Sequence, residues 1–444
     1  MSASGSRATD ATEHFRSWLA DGTGCEVALD GVPTRPLVLI AASGGGARAA
    51  MWSAGVVDLI AATGACGESA VFLSSGVSGG SVGLAVARGS EPGRAGASVA
   101  DMVGPEALSA AVSGLLVGDL VTGSSGVLVP APADGVGTRG DRAALMEEVW
   151  ERQVPALAKA YGPEVAGPAG ALVMNSTTST GCRVLISQLD LGGALEEKEP
   201  SPLCSGSTQD LPATIDLQHL YDECFPRMTW ATAAMLSARF PTVTPAGRIS
   251  READGCDGRP DLQLIDGGYA ESSGLGTLAD LAPTLLTPVL QHNSSRTEGE
   301  PVVLPVVLYL EDEPRTEIAR TNGGVAPELV VPLVGQGAKG AQLSSRTLLQ
   351  RVGQAYSQPC PVSGADACRT AARALDELLP DRVVVAAAAT EAAVEAPLGW
   401  TLSPDSLRRM GDDLARLGPP TPWCRKPGEG AYGCLGVLLP LLGP

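Results

Sequence analysis

The chain has 444 residues, of which 44% are hydrophobic and only 4% aromatic, so it can bury a large core built mainly from small side chains. Its formal net charge of −18 excludes the basic surface that nucleic-acid-binding proteins use and disfavours contact with anionic lipid headgroups. No run of about 18 or more apolar residues occurs, so no transmembrane helix is predicted, and the first residues lack the apolar segment of a signal peptide.

Several of the ten cysteines lie in loop-like sequence rich in Gly, Pro and Ser. Short separations there suit local disulfides, so we predict the pairs Cys360–Cys368 and Cys424–Cys434. Oxidised pairs favour an extracytoplasmic or membrane-associated protein, and the preference for Arg over Lys is typical of a GC-rich bacterial genome. Reduced thiols in the cytoplasm are the alternative. No CxxC occurs and the three histidines lie apart from the cysteines, so no metal site is predicted.

In chain order, residues 1–35 are predicted to be a flexible N-terminal lead-in. From residue 36 to 444 apolar runs alternate with helical segments, which predicts one α/β domain with parallel strands and helices on both faces. Strands are predicted near 37–42, 71–74, 171–174, 183–187, 262–265, 302–310 and 382–387, and helices near 49–62, 81–88, 107–117, 141–153, 228–239 and 342–356.

Two stretches, near 90–168 and 190–260, are less regular and are predicted to be insertions into this domain. The apolar segment 107–117 is interpreted as a core helix, with a lid or a lipid-facing segment as the alternative. Pro305 disfavours a fully paired, central position for the strand near 302–310.

The first chemical signal is Gly76-Val-Ser78-Gly-Gly80, a GxSxG motif between a predicted strand and a predicted helix. Glycines two positions either side of the serine remove the Cβ atoms that would block a sharp strand-to-helix turn, so that Ser78 Oγ can project alone. The start of the following helix also directs its N–H groups towards any negative charge that develops nearby. Ser78 is therefore a candidate nucleophile.

The second signal is the glycine run Gly44-Gly45-Gly46, which also lies between a strand and a helix. Backbone N–H groups of such a loop can converge on one oxygen, as an oxyanion hole requires. The same residues fit a loose dinucleotide-binding fingerprint, which would make the chain a nucleotide-binding protein. That interpretation lacks the acidic residue expected at the end of the next strand, which runs into the GxSxG motif instead.

The third signal is Asp266, which ends an apolar strand and precedes Gly267-Gly268. Loops at this edge of parallel sheets hold active sites, although an aspartate before two glycines also suits a simple turn. A Ser–His–Asp triad of the α/β-hydrolase order needs a late histidine, and the last one, His292, lies in a predicted polar loop that is expected to be solvated. A Ser78–Asp266 dyad is the remaining arrangement.

Taken together, the blocks at Gly44–Arg48, Gly76–Gly80 and Asp266–Gly268 resemble those of the bacterial patatin-like phospholipases. A fourth block, the Ala-rich segment Ala231–Pro241, is similar to that family as well, and so is Pro397–Ser403. The specific match covers residues 36–95 and 228–290, and weaker similarity continues to about 415. Ala49 departs from the pattern, because the family usually has Gly after the arginine.

The resemblance implies a three-layer α/β/α fold with a mostly parallel sheet, and a lipid acyl hydrolase that needs no cofactor. It implies that Ser78 attacks an acyl ester and that Asp266 takes the serine proton and later activates water. It further implies that the N–H groups of the glycine run hold the oxyanion and that Arg48 and Gly79 contact the substrate. The expected partner is a lipid or a membrane-derived acyl ester, with transient membrane association and no nucleic acid. A non-catalytic binding or regulatory protein with this fold is the alternative.

Overall fold

The computed structural model describes residues 8–119, 141–192, 214–222, 225, 227–240, 244–249, 261–311, 345–362, 366–387, 399–417 and 433–443. In these residues ten strands form a single mixed sheet. The strands are β1 (Val27–Leu29), β2 (Val32–Ala42), β3 (Val71–Val77), β4 (Ala171–Thr178), β5 (Arg183–Ser187), β6 (Thr214–Asp216), β7 (Gly247–Ile249), β8 (Leu262–Asp266), β9 (Val302–Glu311) and β10 (Val383–Ala387).

The strand order is β10-β9-β2-β3-β4-β5-β6, and neighbouring strands from β10 to β4 are all parallel. β5 and β8 both pair antiparallel with β4, and β7 pairs antiparallel with β8. The carboxyl ends of β2 and β3 consequently meet at one edge of the sheet. β8, running the other way, places its last residue, Asp266, opposite Ser176 near the end of β4.

The helices are α1 (Ala11–Asp21), α2 (Gly46–Ala61), α3 (Gly79–Gly89), α4 (Ala95–Met102), α5 (Pro105–Ser113), α6 (Arg142–Gln153), α7 (Trp230–Ser237), α8 (Leu275–Ser295), α9 (345–355), α10 (Asp366–Leu378) and α11 (Pro404–Leu417). Shorter helical turns occupy Ala65–Glu68, Gly114–Asp119, Pro155–Ala158, Leu217–Tyr221, Gly267–Tyr269, Pro380–Arg382, Leu435–Leu438 and Leu439–Leu442.

Both faces of the sheet are covered, because alternate residues of each central strand enter different cores. In β2, Val38 and Ile40 belong to the core beneath α2, α3, α6 and α7, whereas Leu37 and Leu39 belong to the core beneath α1, α8 and α9. This explains the continuous apolar run of that strand, since neither face is open to water. The predicted three-layer α/β/α fold with a mostly parallel sheet is confirmed.

Helix α1 lies inside the stretch that was expected to be a flexible lead-in. Asp10 caps it by accepting the N–H groups of Thr12 and Glu13, both at 2.8 Å. Phe15 and Trp18, three residues apart on one face, are buried in the smaller core. This part of the lead-in is therefore packed, because its apolar residues recur at helical spacing.

Strand β9 lies inside the sheet but is not fully paired at Pro305, as the proline led us to expect. It lies between β2 and β10 and is therefore central in the described sheet. Pro305 pairs with Leu37 of β2, but β10 pairs with β9 only from Val307 onwards. At Pro305, β9 therefore has only β2 as a neighbouring strand. On its other side no described strand would accept an N–H there, so the proline loses no hydrogen bond on that side.

Two disulfides have both of their cysteines in the described residues. Cys360–Cys368 is present as predicted, and Cys25 is joined to Cys66, a pair that the sequence analysis did not propose. The second predicted pair involves Cys424, which lies outside the described residues.

Candidate active site

Ser78 occupies a sharp turn between β3 and α3. The strand ends at Val77, the helix begins at Gly79, and Ser78 itself has φ 51° and ψ −123°. A positive φ is costly for a residue with a Cβ and persists only where the surroundings hold it in place. The side chain is buried, with 7% of the residue exposed. Such a turn is the geometry of a nucleophile elbow.

The glycines of this region allow the elbow to touch the glycine-rich loop that follows β2. A Cβ on Gly79 would lie 1.9 Å from the carbonyl oxygen of Gly46. Gly46 has φ 61°, and a Cβ there would lie 2.5 Å from the carbonyl oxygen of Gly399. No side chain fits at either position, so the close contact between the two loops depends on glycine.

Asp266 meets Ser78 at the end of β8. Ser78 Oγ donates a hydrogen bond to Asp266 Oδ2 at 2.6 Å, and the N–H of Gly268 donates to Oδ1 at 2.8 Å. Burial raises the pKa of Asp266 to about 6, and the hydrogen bonds from Ser78 and Gly268 oppose that rise. A carboxylate with a pKa close to neutral is a better base for a hydroxyl than an exposed aspartate would be.

The three glycines of the glycine-rich loop differ in the hydrogen bonds that their N–H groups make. The N–H of Gly44 donates to the carbonyl oxygen of Ser272 at 2.8 Å, so it is not free to hold an oxyanion as expected. For the N–H groups of Gly45, Gly46 and Gly79 no hydrogen-bond acceptor is found among the described residues. Arg48, which was expected to contact substrate, lies in the first turn of α2 and is partly exposed.

Ser237 and Asn175 belong to the site although the sequence analysis did not single them out. Ser237 Oγ accepts the N–H of Ser78 at 3.0 Å and donates to the carbonyl oxygen of Asn175 at 2.5 Å. The Asn175 side chain donates to the carbonyl oxygen of Gly76 at 2.7 Å. Ser237 lies within the fourth block, but a serine in an Ala-rich helix carries no local pattern that marks such a contact.

A buried ionic cluster supports the aspartate strand. The N–H of Asp266 donates to the carbonyl oxygen of Arg239 at 3.0 Å. The Arg239 guanidinium, with 2% of its side chain exposed, is paired with Asp141 at 3.1 Å and with Glu147 at 3.4 Å. Burial raises the pKa of Glu147 to about 7, against the opposing effect of Arg239. The segment that ends at Phe240 is thereby anchored from the inside.

None of the three histidines hydrogen-bonds to Ser78 or Asp266. His292 lies near the end of α8, in a helix and not in the expected polar loop, and its Nε2 contacts the carbonyl oxygen of Pro301 at 2.9 Å. His14 is stacked on Phe72, and burial lowers its pKa. Nδ1 of His219 lies 3.7 Å from Oδ1 of Asp190.

Exposed apolar side chains occur at two places. Next to the dyad, Phe240 and Tyr269 are 39% and 56% exposed, and their ring centroids lie 6.3 Å apart. On α5 and the turn after it, four residues are exposed between 44% and 59%: Leu108, Val112, Leu115 and Leu116. The segment 107–117, interpreted above as a core helix, thus buries Ala107 but turns four large side chains outward.

No single helix in the described residues is long and apolar enough to span a membrane, although the bent pair Ala95–Met102 and Pro105–Leu116 reaches the required length and composition together. In the same residues no group of three or more His, Cys, Asp and Glu side chains is placed to hold a metal ion.

Comparison with known proteins finds no matching family model and no matching curated protein sequence. Among solved structures, the chain is similar to VipD from Legionella pneumophila, with 11% identity and a TM-score of 0.31 over 87% of this chain and 68% of that one. It is also similar to human GIVD cytosolic phospholipase A2, with 12% identity and a TM-score of 0.31 over 67% of this chain. The same human protein in complex with methyl gamma-linolenyl fluorophosphonate gives 14% identity and a TM-score of 0.37 over 97% of this chain. The chain spans 45% and 61% of the length of these two human chains.

Proposed function

We propose that the chain is a lipid acyl hydrolase that cleaves acyl esters through a Ser78–Asp266 dyad. The observation that carries the proposal is the 2.6 Å hydrogen bond from a serine in a strained elbow to a buried carboxylate. The two residues lie 188 positions apart in the chain, so their contact is not a by-product of local sequence. The lipid substrate class rests on the resemblance of the four sequence blocks to the patatin-like phospholipases.

In the proposed reaction Asp266 accepts the proton of Ser78 as Oγ attacks the ester carbonyl. The oxyanion of the tetrahedral intermediate is held by the N–H groups of Gly45, Gly46 and Gly79, since Gly44 donates elsewhere. Asp266 then gives the proton to the leaving alcohol, which departs and leaves the acyl group bound to Ser78 Oγ. In the second half Asp266 takes a proton from water as the water oxygen attacks the acyl-enzyme carbonyl. The proton then passes from Asp266 to Ser78 Oγ as the fatty acid leaves, which restores both residues. Arg48 and Gly79 contact the substrate.

The test is a panel of acyl esters, phospholipids, lysophospholipids and neutral glycerides, assayed with wild type, Ser78→Ala and Asp266→Asn. Wild type is expected to release fatty acid and to be labelled at Ser78 by a fluorophosphonate, and both variants should lose at least about 10³-fold in kcat. Because the base must be unprotonated and burial raises the pKa of Asp266 to about 6, kcat/KM should fall as the pH drops below about 6. No turnover and no labelling in wild type would favour a non-catalytic binding protein instead.

The proposed place of action is an oxidising compartment or the surface of a bacterial membrane. The disulfides Cys25–Cys66 and Cys360–Cys368 support the first, and the exposed apolar residues of α5 support transient contact with lipid. Given the net charge of −18, sedimentation with zwitterionic phosphatidylcholine vesicles is the appropriate assay, with anionic vesicles expected to bind less. Trapping free thiols during isolation from the host would show whether the two pairs are oxidised there.

A further inference from the structure

Ser237 lies at the end of α7, is fully buried, and contacts three groups around the nucleophile. Its Oγ is 3.0 Å from the N–H of Ser78, 2.8 Å from Ser81 Oγ and 2.5 Å from the carbonyl oxygen of Asn175. A serine hydroxyl has one proton to donate and two lone pairs that accept. All of these are used by the three contacts.

The direction of each hydrogen bond follows from the chemistry of the partners. The carbonyl oxygen of Asn175 can only accept, so Ser237 gives its single proton there. The N–H of Ser78 can only donate, and Ser81 must therefore donate as well. Ser237 is thus an acceptor for the backbone of the nucleophile itself.

We propose that Ser237 is a positioning residue that holds the Ser78 elbow in its active geometry, an inference that rests on the proposed function. The N–H of Ser78 lies between the end of β3 and the start of α3, and Ser237 Oγ is its hydrogen-bond acceptor among the described residues. A buried N–H without an acceptor is unfavourable, so the strained backbone at Ser78 would shift if Ser237 were removed. Oγ would then leave its place beside Asp266.

The other side of the elbow depends on the same network. The Asn175 side chain donates to Ser75 Oγ at 3.0 Å and to the carbonyl oxygen of Gly76, and it accepts a hydrogen bond from Thr277 Oγ1 at 2.5 Å. Ser237 therefore connects the residues before the nucleophile, through Asn175, to the nucleophile's own amide. A small displacement of a reacting group can cost about 100-fold in rate, so this connection matters for turnover.

The experiment compares Ser237→Ala and Ser237→Cys with wild type, and Ser74→Ala serves as the matched control. Ser74 is also a fully buried serine, on the same strand as the elbow, and its Oγ donates to the carbonyl oxygen of Ala169 without contacting Ser78 or Asp266. Each variant is assayed for kcat, KM, the pH profile, the rate of fluorophosphonate labelling at Ser78, and the unfolding midpoint.

We expect kcat and the labelling rate of Ser237→Ala to fall by at least about tenfold with little change in KM, because chemistry and not substrate binding is affected. A thiol is a weak donor and acceptor, so Ser237→Cys should lie between wild type and Ser237→Ala. The acid limb of kcat/KM should move to higher pH in both, since the hydrogen bond from Ser78 lowers the pKa of Asp266. Ser74→Ala should keep wild-type kcat and pH profile, whatever its unfolding midpoint.

A wild-type kcat and acid limb in folded Ser237→Ala would overturn the proposal, even if its unfolding midpoint dropped. If Ser237→Ala does not fold, Ser237→Cys provides the test. A wild-type kcat and acid limb in Ser237→Cys would then overturn the proposal. Equal loss of kcat in Ser74→Ala would also overturn it, because any buried serine would then have the same effect. Absence of turnover and labelling in wild type would instead refute the proposed function and is a separate result.

Discussion

Replacing the buried aspartate of the dyad should make the protein more stable while it destroys activity. Asp266 is 3% exposed, and burial raises its pKa from 3.8 to about 6. This difference corresponds to about 3 kcal/mol of unfavourable free energy in the folded state once the carboxyl group is ionised. Asp266→Asn removes the charge and keeps an oxygen that can accept the N–H of Gly268.

The sign follows from which state releases its proton first. Below about pH 3.8 both states are protonated and Asp266 contributes nothing. As the pH rises towards about 6 the unfolded state loses its proton first, so the unfolded state is increasingly favoured, and above about 6 the full penalty applies. The gain in unfolding free energy from Asp266→Asn should therefore be up to about 3 kcal/mol at pH 8 and about half of that at pH 5.

Urea unfolding of wild type and Asp266→Asn at the two pH values measures this gain. Ser78→Ala is the matched control, because it is equally inactive but retains the buried carboxylate. We expect no gain in stability from Ser78→Ala at pH 8. A gain from Asp266→Asn that is absent at pH 8, or equal at the two pH values, would refute the reasoning.

Three further changes test the packing around the site. Gly79→Ala should abolish fluorophosphonate labelling, since its Cβ would lie 1.9 Å from a backbone oxygen, and labelling of this variant would contradict that expectation. Gly411→Ala, whose Cβ would have no atom within 4 Å, should instead raise the unfolding free energy by about 0.5–1 kcal/mol. Arg239→Met should lower the unfolding free energy, measured in urea, by about 3–5 kcal/mol, because it leaves the buried Glu147 and the partly buried Asp141 without their cation. A change below about 1 kcal/mol would show that the two carboxylates are solvated. Replacing Cys25 and Cys66 by Ser should cost about 4 kcal/mol, more than the roughly 2.5 kcal/mol expected for the pair that closes a loop of separation 8. Calorimetry showing the reverse order would count against loop entropy as the cause.

The fold class and the candidate dyad could be predicted because their signals are local. A continuous apolar run marks a strand buried on both faces, and GxSxG between such a strand and a helix marks an elbow wherever it occurs. Asp266 was identified in the same way, as an aspartate at the end of a strand. The Cys360–Cys368 disulfide was also predictable, since a separation of 8 residues in a loop leaves few other partners within reach.

Other features depend on which distant residues the fold brings together. The N–H of Gly44 donates to the carbonyl oxygen of Ser272, and Ser237 accepts the N–H of Ser78 across 159 residues. Likewise, β9 tolerates Pro305 in a central strand only because β10 begins to pair two residues later.

The amino-acid sequence by itself determined the order of the longer strands, the elbow with its glycines, and the residue types that the proposed chemistry requires. Only the tertiary structure decided that Ser78 and Asp266 lie 2.6 Å apart, which N–H groups of the glycine-rich loop lack an acceptor among the described residues, and which buried serine accepts the N–H of Ser78. The reason is physical. Periodicity and turn chemistry act over a few residues, whereas a hydrogen bond between distant segments exists only when the packing of the whole sheet brings donor and acceptor within about 3 Å of each other.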